Sequence, residues 1–182
     1  MSTFEVDNQN DLSMMITKYE ELYLKELTYY GTSDMNQMIM LMSIGQIILK
    51  LENNILENYY NPYVSKVKKN SHISEIYYLQ KILFCSFNII IKMVSLFVEN
   101  KTNSFELEFK NKYLVDMLEN YVEKFIEPIL KNIDFIVSTN KVFELENPVN
   151  NLEKFINQNK NNFESEEKIM ILEKIIKIME QS

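Results

Sequence analysis

Arginine, alanine and tryptophan are missing from this chain, and histidine and cysteine occur once each. With all 19 basic residues being lysine, no guanidinium fork is available for bidentate recognition of phosphate or carboxylate. A single histidine, His72, rules out paired-imidazole mechanisms, Cys/His structural zinc sites and the Glu-x-x-His pattern of di-iron bundles. His72 and Cys85 fall on one expected helix, about 20 Å apart by helical rise, so they form no dyad within the chain. His72 reads as an exposed or capping residue at that helix start, and Cys85, beside Phe84 and Phe87, as a small core residue. The helical ribonuclease pattern, an arginine shortly before a histidine, cannot be written here, nor can the Gly-Arg pair of Bcl-2-type bundles.

The two glycines, Gly31 and Gly45, leave no room for a Rossmann fingerprint or a P-loop. One cysteine excludes an intrachain disulfide and fits a reducing compartment, so the expected location is the cytoplasm, or the host-cell cytoplasm for a viral chain. A net charge of −7 argues against a nucleic-acid partner, since binding a phosphate backbone rests on clustered cations. The densest lysine cluster, Lys66, Lys68 and Lys69, reads as solvated charge in a loop with Asn61 and Pro62. Residues 1–11 lack the basic and apolar regions of a secretory signal. No membrane span is expected: the uncharged stretch 35–49 is short for one, and Asn88 and Lys92 interrupt 82–98. The scarcity of residues with GC-rich codons, beside abundant Asn, Ile, Lys, Tyr and Phe, points to an AT-rich genome such as that of a virus, phage or mobile element.

What is present is apolar mass: 46% hydrophobic and 12% aromatic residues, enough to bury one core. The expected fold is all-α, a single domain over residues 1–182 with 1–10 as a flexible tail, built as a bundle of six or seven helices. Over residues 11–30, Leu12, Met15, Ile16, Tyr19, Leu22, Tyr23, Leu27 and Tyr30 recur at three- and four-residue spacing, and Gly31 is placed as a left-handed cap. Ser33 or Asp34 then starts a second helix, from Asp34 to about Tyr60. That helix is apolar around nearly its whole circumference, which predicts a central position, with Gly45 marking a close helix crossing sooner than a tolerated defect, and Met35, Met38, Met40 and Met42 as core sooner than a pliable binding surface.

A third helix, capped by Asn70 or Ser71 and running to about Asn100, is the expected partner of the second. After a turn at 101–104, Phe105, Leu107 and Phe109 alternate as a strand would. The run then turns helical to about Val137, with Pro128 kinking or splitting it near Ile126 and Glu127. Asp116, Glu119, Glu123 and Glu127 share one helical face there and read as solvated. Asn147 and Pro148 start a short helix to about Gln158, an Asn-rich linker follows at 157–162, and Ser165 with Glu166 and Glu167 opens the last helix.

Without a catalytic constellation, cofactor or metal set, the chain is expected to be no enzyme but a protein-interaction module, an inhibitor, immunity or regulatory factor whose partner is another protein. The candidate surface is Ile169, Leu172, Ile176 and Met179 on the last helix, which could dock on its own bundle or form a homodimer. The alternative is a sensor or carrier holding an apolar small molecule between the second, third and fourth helices.

Overall fold

A computed structural model of the chain describes residues 3–69, 73–99, 104–139 and 143–180. Among these there is no strand, and six helical rods make the bundle. The first is α1 (Thr3–Tyr29). The second joins α2 (Met35–Ile55), a π-helical turn (Leu56–Tyr60) and α3 (Asn61–Lys69). Next come α4 (Ile73–Glu99) and a rod of α5 (Ser104–Tyr121), a second π-turn (Val122–Ile126), a 3-10 segment (Glu127–Asn132) and α6 (Ile133–Ser138). The last two are α7 (Asn150–Gln158) and α8 (Glu166–Glu180).

The all-α bundle is as expected, and so is the role of α4. Leu79, Ile82, Leu83, Phe87, Ile91, Met93 and Val94 are fully buried, and α1, α3, α5, α6 and α7 all pack around the helix. The second helix departs from expectation. Its α2 part lies chiefly against α1 and buries Ile44, Ile48, Glu52 and Ile55, leaving Met35, Met38, Met40 and Met42 exposed, while the following π-turn, with Leu56, Tyr59 and Tyr60, goes into the core. A helix apolar all round fits a bundle centre, but periodicity cannot tell that position from one where a single face is covered.

Helix ends follow local chemistry. Gly31 sits at φ 85 after α1, while Tyr30 N–H reaches the Glu26 carbonyl at 2.9 Å. Asp34 caps α2, its carboxylate accepting from the Gln37 amide at 3.0 Å, and Ser165 Oγ accepts from the Lys168 amide at 3.4 Å ahead of α8. Helix α1 begins at Thr3, so residues 3–10 are helical where a tail was expected, and α7 begins at Asn150, just beyond the Asn147 and Pro148 start. The expected caps Asn70 and Ser71, and His72, lie outside the described residues.

Three loop or strand expectations become helix. Lys66, Lys68 and Lys69 continue the second rod as α3, with Lys66 Nζ 5.4 Å from the Tyr63 ring centre. Phe105, Leu107 and Phe109 belong to α5. The Asn-rich stretch 157–162 is a hydrogen-bonded turn, not a mobile linker: buried Asn159 donates to the Phe155 carbonyl and accepts from Asn162 Nδ2, both at 2.9 Å.

Pro128 splits its rod as expected. A 3-10 turn would pair the Phe125 carbonyl with the amide of residue 128, which proline lacks. The Tyr60 hydroxyl donates to that carbonyl instead, and the Tyr60 and Phe125 rings meet edge to face with centroids 5.3 Å apart. Each π-turn thus precedes an X-Pro pair, Asn61 with Pro62 and Glu127 with Pro128, and the two turns face one another across the core.

The two glycines should respond oppositely to alanine. At Gly31 the backbone is left-handed and a Cβ would stand 3.0 Å from Phe109 Cβ, so Gly31→Ala is expected to lose about 2 kcal/mol. At Gly45 the nearest atom to an added Cβ is Glu26 Oε2 at 3.9 Å, ordinary contact and no close crossing. Gly45→Ala is therefore expected to gain about 0.5 to 1 kcal/mol through helix propensity. Thermal melts of both variants check this, and a loss at Gly45 would contradict it.

Candidate functional site

The last helix does not supply the surface expected of it. Ile169, Leu172, Ile176 and Met179 are buried in the bundle, where α8 packs on α6 and the second π-turn. The stripe docks on its own chain, and the exposed apolar surface is on α2 instead. There Met35 is 70% exposed, Met42 68%, Ile39 58% and Leu49 54%. At 100° per residue these positions point away from the face that carries Ile44, Ile48, Glu52 and Ile55. Because residues 35–49 hold no charge, the outer face is a largely apolar strip, interrupted by the Gln46 amide and flanked by polar groups such as Asn36 and Ser43. Flexible methionine side chains make much of it, which lets it fit irregular shapes.

The inner side of α2 is tied down by a buried carboxylate. Glu52 Oε1 accepts from the Lys124 ammonium, and Oε2 from the Tyr19 hydroxyl and, at 3.3 Å, from the Tyr23 hydroxyl. Burial, then the neighbouring tyrosine and Glu52, holds the Tyr19 hydroxyl well above the ordinary phenol range; burial, then Glu52, does the same for Tyr23. These phenols stay protonated as donors, so the cluster is a structural anchor. Glu52 escaped the sequence reading, although a signal existed: it stands four residues after Ile48 and eight after Ile44, in register with the buried stripe. Gln80 escaped too, and its buried amide donates to the Ile136 carbonyl at 2.6 Å and the Thr139 carbonyl at 2.5 Å, closing the end of α6.

A second carboxylate, Glu26, lies where α1 crosses α2, and its Oε2 is buried without a hydrogen-bond partner. Burial pushes its pKa up to about 7 from 4.5. A raised folded-state pKa in an acid means stability falls as pH rises from the unfolded value through the folded one. Glu26→Gln should therefore stabilise the fold by about 1 kcal/mol near pH 8, after allowing for solvent screening, and change little near pH 4. Denaturation at the two pH values reads this out, and equal effects at both would refute it.

The acidic face of α5 and the turn after it is only partly solvated. Asp116, Glu123 and Glu127 are exposed, but Glu119 is buried, with Oε2 3.9 Å from Lys168 Nζ on α8 and Oε1 accepting from the Glu164 amide at 3.3 Å. Among the described residues no group of three or more acids, histidines or cysteines could hold a metal ion.

Cys85 is half-buried, not enclosed in the core, on the wall of a cleft of about 270 Å³ between α1 and α4. Around it Lys92 pairs with Glu20 at 2.5 Å, Lys81 donates to Ser13 Oγ at 2.7 Å, and Asn88 holds the Glu146 amide at 2.8 Å. Burial pushes the Cys85 thiol up, away from the thiolate that nucleophilic chemistry needs. A carrier would need an apolar cavity where α1, α2, α4 and α5 converge. The gap there, beside Tyr19, Glu52 and Tyr121, holds about 10 Å³, whereas small-molecule sites occupy about 300 to 1,000 Å³.

Among the described residues, two helices are long and apolar enough to cross a membrane, Met35–Lys66 and Glu75–Val98. The second owes its composition to the core it fills, being mostly buried, and the first is mostly uncovered. No family profile, curated protein or solved structure matches this chain. The outer face of α2 is thus the surface whose chemistry the fold leaves unused.

Proposed function

We propose that the chain is a non-enzymatic protein-interaction module, an inhibitor, immunity or regulatory factor, and that it docks its protein partner along the outer face of α2. The observation that carries this is the uncharged, mostly apolar strip through Met35, Ile39, Met42 and Leu49, with only the Gln46 amide among them. Large contiguous apolar patches are uncommon on monomers and mark contact surfaces, because leaving them in water forgoes about 25 cal/mol for each Å² that could be buried. The AT-rich composition supports a virus, phage or mobile element as source, and the single cysteine supports a reducing cytoplasm.

A photo-crosslinking amino acid placed at Met42 and, separately, at exposed Glu153 on α7 tests the reading in cells. The expected result is a discrete protein adduct from position 42 and none from 153. Lipid adducts alone, or equal yields from both positions, would defeat it.

A further inference from the structure

We infer that the occupant of the α2 face is a second copy of this chain, paired through a helix-to-helix seam. This rests on reading that face as a protein-docking surface and goes further by naming what docks. The residues Met35, Ile39, Met42, Gln46, Leu49 and Asn53 follow one another at alternating spacings of four and three, and all six are exposed. At 100° per residue they fall within roughly 80° of arc over about 27 Å of helix, the narrow stripe of a two-helix seam. Exposed Met38, Met40 and Ile47 lie off this stripe, so the seam is the part of the apolar surface that keeps a two-helix spacing. The seam does not serve the chain's own core, since α2 packs chiefly on α1 through its other side.

Charge selects the partner. The protein carries a net −7, so most of its surface repels a second copy, yet residues 35–49 carry no charge and can meet their own like without opposition. An anionic lipid surface would be repelled by the acidic chain, and a hydrocarbon phase would leave the Gln46 and Asn53 amides without partners. In a helix pair these two positions become useful. With the helices parallel and in register, Gln46 faces Gln46 and Asn53 faces Asn53, each amide able to donate and accept, while Met35, Ile39, Met42 and Leu49 each meet their own kind. A polar residue at such a position sets register and limits the assembly to two strands, at some cost in stability. The interface is isologous, the same patch on both copies, and so closes as a dimer.

Analytical ultracentrifugation across the micromolar range tests this with the wild-type chain and the double variant Ile39→Glu with Met42→Glu. Both substituted side chains are exposed, so helical content by circular dichroism and the melting of the monomer should be retained. The wild type is expected to sediment at twice the chain mass, and the variant at the single mass, with dimer affinity weakened at least a hundredfold, roughly what facing like charges produce. A wild type that stays monomeric, or a variant that dimerises as well as the wild type, overturns the inference. The crosslinker at position 42 separates the two readings. An adduct of twice the chain mass supports the dimer. An adduct with a different protein overturns the dimer and leaves the docking surface standing. Capture of phosphatidylcholine alone, from vesicles mixed with the purified chain, removes both.

Discussion

Replacing Lys124 by Met is expected to destabilise the fold by about 3 kcal/mol, because it strands a carboxylate in the interior. The Glu52 side chain is only 4% exposed, and among the described residues Lys124 supplies the one opposite charge that pairs with it. Neutral hydroxyls from Tyr19 and Tyr23 remain in the variant, but they cannot replace an ammonium beside a carboxylate this deeply buried. The penalty belongs to the uncompensated charge and not to the loss of the lysine, so removing the charge should relieve it. In the double variant Lys124→Met with Glu52→Gln, an amide oxygen still accepts from the tyrosines, and most of the stability is expected to return. Urea denaturation of the two single variants and the double gives the coupling energy directly. A single-variant loss under about 1 kcal/mol would place the pair with ordinary surface ion pairs and contradict the anchoring role.

Leu83→Ala is expected to lose about 3 kcal/mol, and Met42→Ala to stay within about 0.5 kcal/mol of a monomeric reference. Both residues sit in long apolar stretches of helix that look alike as sequence. Leu83 is fully enclosed among α4 and its neighbours, so truncation removes buried methyl groups and leaves a cavity. Met42 stands mostly in solvent within one chain, so truncation removes little from the folded monomer. If the chain pairs through α2, the same Met42→Ala change weakens association instead, and the loss appears as a concentration-dependent melting temperature. Comparable losses at both positions in dilute protein would mean that α2 is covered within its own chain.

Much of the fold could be read from local patterns. The left-handed cap at Gly31, the Asp34 and Ser165 caps, the break at Pro128 and the core stripe of α4 each depend on residues close together in the chain. Where the sequence misled, the deciding contacts were distant. Phe105, Leu107 and Phe109 alternate over too short a stretch to separate strand from helix, and the helix they join settles it. The Asn-rich stretch 157–162 has the composition of a linker, yet Asn159 is buried and hydrogen-bonded to the Phe155 carbonyl and Asn162. The exposed strip on α2 was hidden by its own strength as a signal: an all-round apolar helix suggested burial on every side.

By itself the sequence determined the helical class, most helix ends, and the absence of the chemistries that need arginine, paired histidines or glycine-rich loops, because residue types and near-neighbour spacing settle these matters. Only the tertiary structure decided which apolar face is covered. Ile169, Leu172, Ile176 and Met179 went inside and Met35, Ile39 and Met42 stayed out, since burial depends on which helices lie alongside, and hydrophobic attraction, having no direction of its own, does not write that into either helix.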